Sequence, residues 1–471
     1  MIAAAALYSV HIGGDPMWTD ETYSYFYASM SPAEFLDPYA DAAHPPTYYL
    51  TLHYWMRLFG DCDACMRSLS LVFMVMALPV VYGMGRIIGQ HRTGVTAMLV
   101  FGSTIHAFRY AQEARTYAML AFLGALVLFL MLIVRERAPS LPRYAALWAG
   151  LAMAGVLAVG VHHASVLFVP GCALAYGLAM YCMPPTNWRQ RLLTAGIVIM
   201  AGALVWAVVF LPHLQVALTV TPPHQTFPFW TNAFWLMSFY TGGGHMPLSG
   251  VLAVVGAGVA VFALARNRDL MWLVFFGSAL ALPALLYLTG QLVYSDRLAH
   301  PKVFIFLVPF ISVLVAYGIS KSGKWSRWLL TSLLVCNAVG IALQVTSTNE
   351  PWDQAAAIID EHRTGDSVVV CQRCNQAIDL YLGDDGRGSG GSARTVGNIH
   401  SPDFDKSASN YNEVWTLHTA PNCNPSPYAL DSWGDAEMVA CLPWGQIRLY
   451  HLLWPPPQWA LIVHRYVIGP Q

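Results

Sequence analysis

Long apolar runs separated by short polar connections dominate the first three quarters of this 471-residue chain. Runs of about 17 to 25 apolar residues are long enough to cross the hydrocarbon core of a bilayer as helices. Such runs lie near 66–85, 93–110, 116–134, 144–161, 164–183, 192–212, 248–265, 271–289, 301–320 and 328–345. With a short N-terminal stretch they predict an α-helical polytopic membrane protein of about eleven transmembrane helices. Residues 1–12 fit least well. They are too few for a full span and lack the basic start and small-residue cleavage site of a signal peptide, so either the first helix is short and tilted or the true start lies upstream.

From about residue 346 the pattern changes. Trp352 to His362 reads as an amphipathic helix, Ser367 to Cys371 as a buried strand, Gln376 to Leu382 as a helix, and Glu413 to His418 and Gln446 to Leu452 as strands, with a Gly- and Asp-rich turn region over Gly383 to Ser392. The expected organisation is a transmembrane domain over 1–345 and a small external α/β domain over 346–471. The second holds no phosphate-cradling Gly loop and no metal signature, which suits it to support or acceptor recognition. No internal repeat is visible in the membrane part, which weakens a transporter built from inverted halves.

Composition agrees: 56% of residues are hydrophobic and only 11% charged, against roughly 25% charged in soluble domains. Basic residues collect in alternate connections: Arg86 and Arg92; Arg135, Arg137 and Arg143; Arg189 and Arg191; Arg266 and Arg268; Lys321, Lys324 and Arg327. The positive-inside rule puts these loops and the N-terminus in the cytoplasm and the C-terminal tail outside. A formal net charge of −1 leaves no basic footprint for nucleic acid. Cys172, Cys182 and Cys336 fall in apolar spans, as small core residues do. Cys62, Cys65, Cys371, Cys374, Cys423 and Cys441 all fall on the outer side, where disulfides persist, although Cys-x-x-Cys pairs can also bind zinc or exchange electrons.

Polar chemistry gathers on that outer side. Asp20 and Glu21, in Trp18-Thr-Asp-Glu-Thr, open the aromatic-rich first loop, 13–65, which is expected to be catalytic. Within it, Tyr48, Leu52, Trp55 and Phe59 share one side of a predicted surface helix. Gln112-Glu113-Ala-Arg115-Thr-Tyr117 follows between two later spans, then His162 and His163, then Arg297 and Lys302 bracketing the start of another span. The loop over 213–247 carries many aromatics and Gly242-Gly243-Gly244, either as interfacial anchors or as a platform for a sugar or acceptor. Taken singly, the acidic pair reads as a solvated flank, Arg297 and Lys302 as snorkelling anchors, and His44, held by Pro45 and Pro46, as a loop residue. Together they offer a carboxylate for proton abstraction and cations for an oxyanion, and ionisable groups at membrane depth are costly enough to mark function.

The ordered set Trp18-x-Asp20-Glu21, His44-Pro45-Pro46-x-Tyr48-Tyr49, Leu58-Phe59-Gly60, Arg67-Ser68-Leu69-Ser70 and Gln112-Glu113-Ala114-Arg115-x-Tyr117 resembles the bacterial branch of the protein O-mannosyltransferase and lipid A aminoarabinose transferase superfamily, the GT-C glycosyltransferases. The motifs cover mainly residues 15–120. The resemblance implies an enzyme of the bacterial inner membrane that moves a sugar from a polyprenyl-phosphate donor to a periplasmic acceptor, whether glycan, glycolipid or protein. It implies Asp20 as the base, Glu21 as its partner, and Glu113 with Arg115 as a second-loop pair near the donor. Arg115, Arg297 and Lys302 are the candidates for the donor phosphate, and His44, Tyr117, His162 and His163 for substrate contacts. No cofactor is expected, with a divalent metal at Asp20, Glu21 and His44 as the exception to test. The rival readings are a lipid-linked sugar flippase, which would pair charges near the midplane of several spans, and a ligase moving a whole glycan.

Overall fold

The computed structural model describes residues 1–37, 44–137, 141–163, 165–182, 184, 187–220, 247–293, 301–346, 349–362, 367–371, 380–382, 394–396, 413–421, 437–444 and 459–467. Contacts along the chain divide it into two compact units: residues 1–10 with 30–342, and residues 11–29 with 343–471.

The first unit is helical. Its elements are α1 (Ile2–Tyr8), α3 (Pro32–Phe35), α4 (Thr47–Phe59), α5 (Asp63–Gly102), α6 (Ile105–Ala111), α7 (Tyr117–Arg137), α8 (Leu141–Val161), α9 (Ser165–Cys182), α10 (Trp188–Val209) and α11 (Leu211–Val220). Then come α12 (Pro247–Arg266), α13 (Leu270–Val293), a 3₁₀ segment over Pro301–Leu307, α14 (Val308–Lys321) and α15 (Ser326–Val345), which runs just past the unit's end. Among the described residues the apolar runs expected from the sequence are helical apart from short breaks at Ser103–Thr104 and Phe210. The protein is a multi-pass membrane protein, but seven helices among the described residues, not eleven, are long and apolar enough to cross a bilayer, with shorter apolar helices at Phe168–Cys182 and Leu270–Leu280. One reason for the lower number is α5, a 40-residue element that leaves helical geometry at Gly89 and at Gln90, where φ is 71°. A Cβ on Gly94 would lie 2.7 Å from the carbonyl oxygen of Tyr82. In a straight helix those residues stand about 18 Å apart, so the chain folds back on itself and the two spans expected at 66–85 and 93–110 are the arms of one hairpin. The second arm ends early, at Ser103, before α6. The first helix is indeed short: α1 has 7 residues, about 10 Å of helix.

Burial separates helices that composition does not. The apolar window within Phe304–Lys321 is 83% buried and that within Tyr117–Glu136 is 72% buried, whereas Trp188–Val209 is 11% buried. The first two are the centre of the bundle. The last presents Leu193, Ile197, Met200, Leu204 and Val208 to the surroundings, the surface expected of a helix that faces lipid rather than protein. Helix α4 forms where the first loop predicted it, but its buried side is Tyr48, Tyr49, Leu52 and His53, while Phe59 is exposed. Trp55 instead donates its indole N–H to the Cys65 carbonyl at 3.0 Å.

In the second unit, α2 (Thr19–Ser29) and α16 (Trp352–His362) accompany a five-stranded sheet of β1 (Ser367–Cys371), β2 (Arg394–Val396), β3 (Glu413–Pro421), β4 (Glu437–Trp444) and β5 (Trp459–Val467). The order is β2-β1-β3-β5-β4, with β1 parallel to β2 and β3, and β5 antiparallel to β3 and β4. Trp352, Ala355, Ala356 and Ile359, one face of α16 at helical spacing, pack with Val369, Trp415, Leu417 and Val463. The central strand β3 is buried at four consecutive positions, Val414 to Leu417, as a strand covered on both faces must be. Of the predicted elements here, 376–379 and 446–452 lie outside the described residues, as does the turn region 383–392; β2, β4 and β5 were not expected. Residues 11–29 are tied into this unit by named bonds. The Met17 N–H donates to the Tyr381 hydroxyl at 2.7 Å, Asn349 donates to the Pro16 carbonyl at 3.0 Å, and the Glu350 carboxylate accepts from the Thr19 N–H at 3.0 Å, the Thr19 hydroxyl and the Trp352 indole at 2.8 Å.

Cys62 and Cys65 form a disulfide and Cys441 is disulfide-bonded. Cys172, Cys182 and Cys336 are free thiols. Cys374 and Cys423, and the side chain of Cys371, lie outside the described residues.

Candidate active site

Between α6 and α7 the chain makes a tight, buried passage through Gln112, Glu113, Ala114, Arg115 and Thr116. Helix α6 is started by Thr104, whose hydroxyl oxygen accepts the Ala107 N–H at 3.1 Å, a side-chain N-cap. At its other end Gln112 donates through Nε2 to the carbonyls of Tyr8, at 3.0 Å, and Val10. The Gln112 of the motif thus fastens the end of α1 to this loop.

Glu113 is held by a residue that sequence reasoning missed. Arg109 Nε, on the last turn of α6, lies 2.7 Å from Glu113 Oε1 in the loop that follows, so the carboxylate named together with Arg115 forms its ion pair with Arg109. The i,i+4 spacing was the available signal. Glu113 Oε2 is buried and has no hydrogen-bond partner among the described residues. Aromatic rings wall this pair: the Arg109 guanidinium stands 5.8 Å over Tyr110, and Tyr110 packs on Tyr117 at 4.9 Å between centroids and stacks with His106. Tyr117 is therefore part of the wall around Arg109 and Glu113.

Arg115 is buried and turns toward a different partner. Its carbonyl accepts from the Ser70 hydroxyl at 3.5 Å, and its Nη2 lies 3.4 Å from His44 Nε2. A guanidinium has no acceptor, so this contact places the proton of a neutral His44 on Nδ1. His44 also meets His162 edge to face at 5.6 Å between ring centroids and Tyr49 at 6.3 Å. The approach depends on local backbone. Buried Pro45 and Pro46 lead directly into α4, with Pro46 as its N-cap residue, and Gly160 on α8 lets that end come close: a Cβ there would lie 2.3 Å from Thr47 Oγ1. His162 follows the last residue of α8. Three residues far apart in sequence thus gather as one guanidinium and two imidazoles, donors suited to a phosphate oxyanion. His163, next in sequence, is half-buried.

Asp20 and Glu21 belong to the second unit, on the first turn of α2. Glu21 is fully buried, and its Oε2 accepts the Trp18 N–H at 3.4 Å while the Trp18 carbonyl accepts the Glu21 N–H at 2.8 Å. The first of these is the bond by which an acid three positions into a helix caps the N–H before it; the second is a backbone bond of the first turn. Asp20 is half-buried. Among the described residues no three His, Cys, Asp or Glu side chains gather as a metal site. Arg297 and the aromatic loop over 221–246 lie outside the described residues. Lys302 lies in the 3₁₀ segment, but its side chain is outside them.

The fold matches solved structures, one of them over the whole of both chains. The structure of ArnT from Cupriavidus metallidurans in the apo state superposes with a TM-score of 0.65 at 14% identity, over 100% of this chain and 98% of that one. The chain has the GT-C fold. The same enzyme bound to undecaprenyl phosphate matches with a TM-score of 0.60 at 12% identity over 100% and 98% of the two chains. The Archaeoglobus fulgidus oligosaccharyltransferase AglB, in complex with an inhibitory peptide and a dolichol-phosphate, matches this GT-C chain with a TM-score of 0.52 at 12% identity, over 88% of this chain and 68% of that one. A family model described as the protein O-mannosyl-transferase TMEM260 N-terminal domain matches residues 64–183, the stretch from α5 to α9 that holds Arg109, Glu113, Arg115 and His162. No curated protein sequence matches the chain significantly.

Proposed function

We propose that this protein is an integral membrane glycosyltransferase that moves a single sugar from a polyprenyl-phosphate donor to an acceptor hydroxyl by direct displacement, inverting the anomeric centre. The observation that carries this reading is the agreement in fold with ArnT over the whole length of both chains. Arg115, with His44 and His162, is assigned to the donor phosphate, because a buried guanidinium flanked by imidazoles matches the charge that grows on the leaving group. Arg297 and Lys302 are further candidates for the same charge, and Tyr117 and His163 for substrate contact. Asp20 is assigned as the general base that takes the acceptor proton. Glu21 caps the helix that presents it, and Glu113 holds Arg109. In this reading the first unit is the membrane domain of a bacterial inner-membrane protein, its N-terminus is cytoplasmic, and residues 346–471 are periplasmic.

Mass spectrometry of envelope glycans and glycolipids, with and without the gene, tests the function. The expected result is one species lighter by a single sugar residue when the gene is absent. An unchanged profile, together with no turnover of polyprenyl-phosphate sugars by purified protein, overturns it. Reporter fusions after Arg191 and after Gly365 test the orientation, with a cytoplasmic signal expected from the first and a periplasmic signal from the second.

A further inference from the structure

Each of the four residues that lead into Asp20 is held by a named bond, and three of the four are held from 331 to 364 positions further along the chain. The Pro16 carbonyl accepts from Asn349, the Met17 N–H donates to the Tyr381 hydroxyl, and the Trp18 N–H donates to Glu21. Thr19 gives both its N–H, at 3.0 Å, and its hydroxyl to one oxygen of Glu350. The same oxygen, Oε2, accepts the Trp352 indole N–H at 2.8 Å. Trp352 is buried in the apolar core that α16 shares with the sheet, so Glu350 joins that core to the start of α2.

Thr19 is the first residue of α2 and Asp20 the second. The N–H groups of a first helical turn have no partner within the helix, and such ends fray unless another group bonds them. A carboxylate is well suited to the task, because it accepts the open N–H and also meets the positive end of the helix dipole. Two bonds to Thr19 fix its side-chain torsion as well as its amide, and the Thr22 hydroxyl closes on the Thr19 carbonyl at 2.8 Å. The Cα of Asp20, one peptide further on, is therefore set by a group rooted in the sheet-bearing core and not by α2 alone. The glycosyl-transfer reading gives Glu350 no part.

We propose that Glu350 is a positioning residue for Asp20, acting through Thr19 to hold the proposed base at one point. The inference rests on the assignment of Asp20 as that base. A base works only within hydrogen-bond reach of the proton it takes, and a displacement of about 1 Å caused by a change outside the chemistry can cost about 10²-fold in rate. The loss of Glu350 should therefore fall on kcat and leave donor binding in place.

Glu350→Ala and Thr19→Val in the full chain, each alone and combined with Asp20→Asn, test this by kcat and donor affinity with a polyprenyl-phosphate sugar, on protein shown by thermal unfolding to be folded. Glu350→Ala is expected to lower kcat by roughly 10- to 100-fold and Thr19→Val by about tenfold, with donor affinity held within about twofold. Glu350→Gln, which still accepts N–H bonds, should recover most of the loss. In the Asp20→Asn background neither change should lower the residual turnover by more than about twofold, since a position acting through Asp20 is silent once the base is gone. Should Glu350→Ala fail to fold, Thr19→Val, which keeps the shape of the side chain, decides the matter. Near-normal kcat in the deciding variant, while Asp20→Asn is inactive, overturns the positioning role and leaves the base assignment standing. Equal falls with and without Asp20→Asn overturn it too, because Glu350 then acts by another route. Normal turnover in Asp20→Asn alone removes the base, and the positioning role with it.

Discussion

Glu21 and Glu113 are both buried acids engaged in holding local structure, one at a helix start and the other on Arg109 just past a helix end. Asp20, adjacent to Glu21, is half-buried on the same first turn. The motifs make Asp20 a base, Glu21 its partner and Glu113 a neighbour of the donor. Their surroundings divide them. An oxygen that fixes a backbone N–H or a guanidinium is committed to position, and its loss reads first as lost stability. Solvent reaches the half-buried Asp20, and for the proposed base the loss is expected to read first as lost turnover.

The widest separation should come from Asp20→Asn. Folding and membrane insertion are expected to persist while turnover falls by about 10²–10⁴-fold, the usual weight of a general base, measured with purified protein and a polyprenyl-phosphate sugar that it uses. Near-normal transfer by the well-folded variant would remove Asp20 as base and undo the contrast with Glu21. Next comes Arg115→Ala, expected to weaken donor binding roughly tenfold or more, since hydrogen bonds to charged groups are worth about 1.5–3 kcal/mol. Arg115→Lys should recover only part of this, because an ammonium lacks the planar fork. Donor titration by fluorescence or calorimetry measures both.

Glu113→Gln leaves the Arg109 guanidinium without its carboxylate in a largely buried loop, and should cost about 1–3 kcal/mol of stability. Arg109 is partly exposed, which puts the cost below that of a fully buried pair. Thermal unfolding in detergent reads it, and the double variant with Arg109→Gln should be less destabilised than the sum of the two, the signature of a direct pair. The smallest effect is expected from Glu21→Gln. An amide still accepts the Trp18 N–H, so the loss should be within about 1 kcal/mol, with turnover near normal. A large fall in turnover without a fall in stability would place Glu21 beside Asp20 in the chemistry.

Some of the site was legible beforehand. The loop around Arg115 announced itself by charged residues between two apolar runs, whereas Arg109, inside an apolar run, was missed as the partner of Glu113. The meeting of His44, Arg115 and His162 was not legible either, because it depends on how α4, the α6–α7 loop and α8 pack, and Gly160 gives no sign in sequence that it admits Thr47.

The sequence by itself determined where the long apolar helices of the first unit lie, because apolar length is a local property and the backbone of a lipid-embedded segment must satisfy its own hydrogen bonds. It also determined α16 and β1, whose periodicities are clear. Only the tertiary structure decided that α5 is a hairpin closed at Gly89 and Gln90, that α7 and α14 are central while α10 faces outward, and that residues 11–29 join the sheet-bearing unit through Glu350 and Tyr381. The physical reason is common to all three. Uniformly apolar helices carry no stripe that says which neighbour they meet, and a bond such as Thr19 to Glu350 spans 331 positions, beyond the reach of any local pattern.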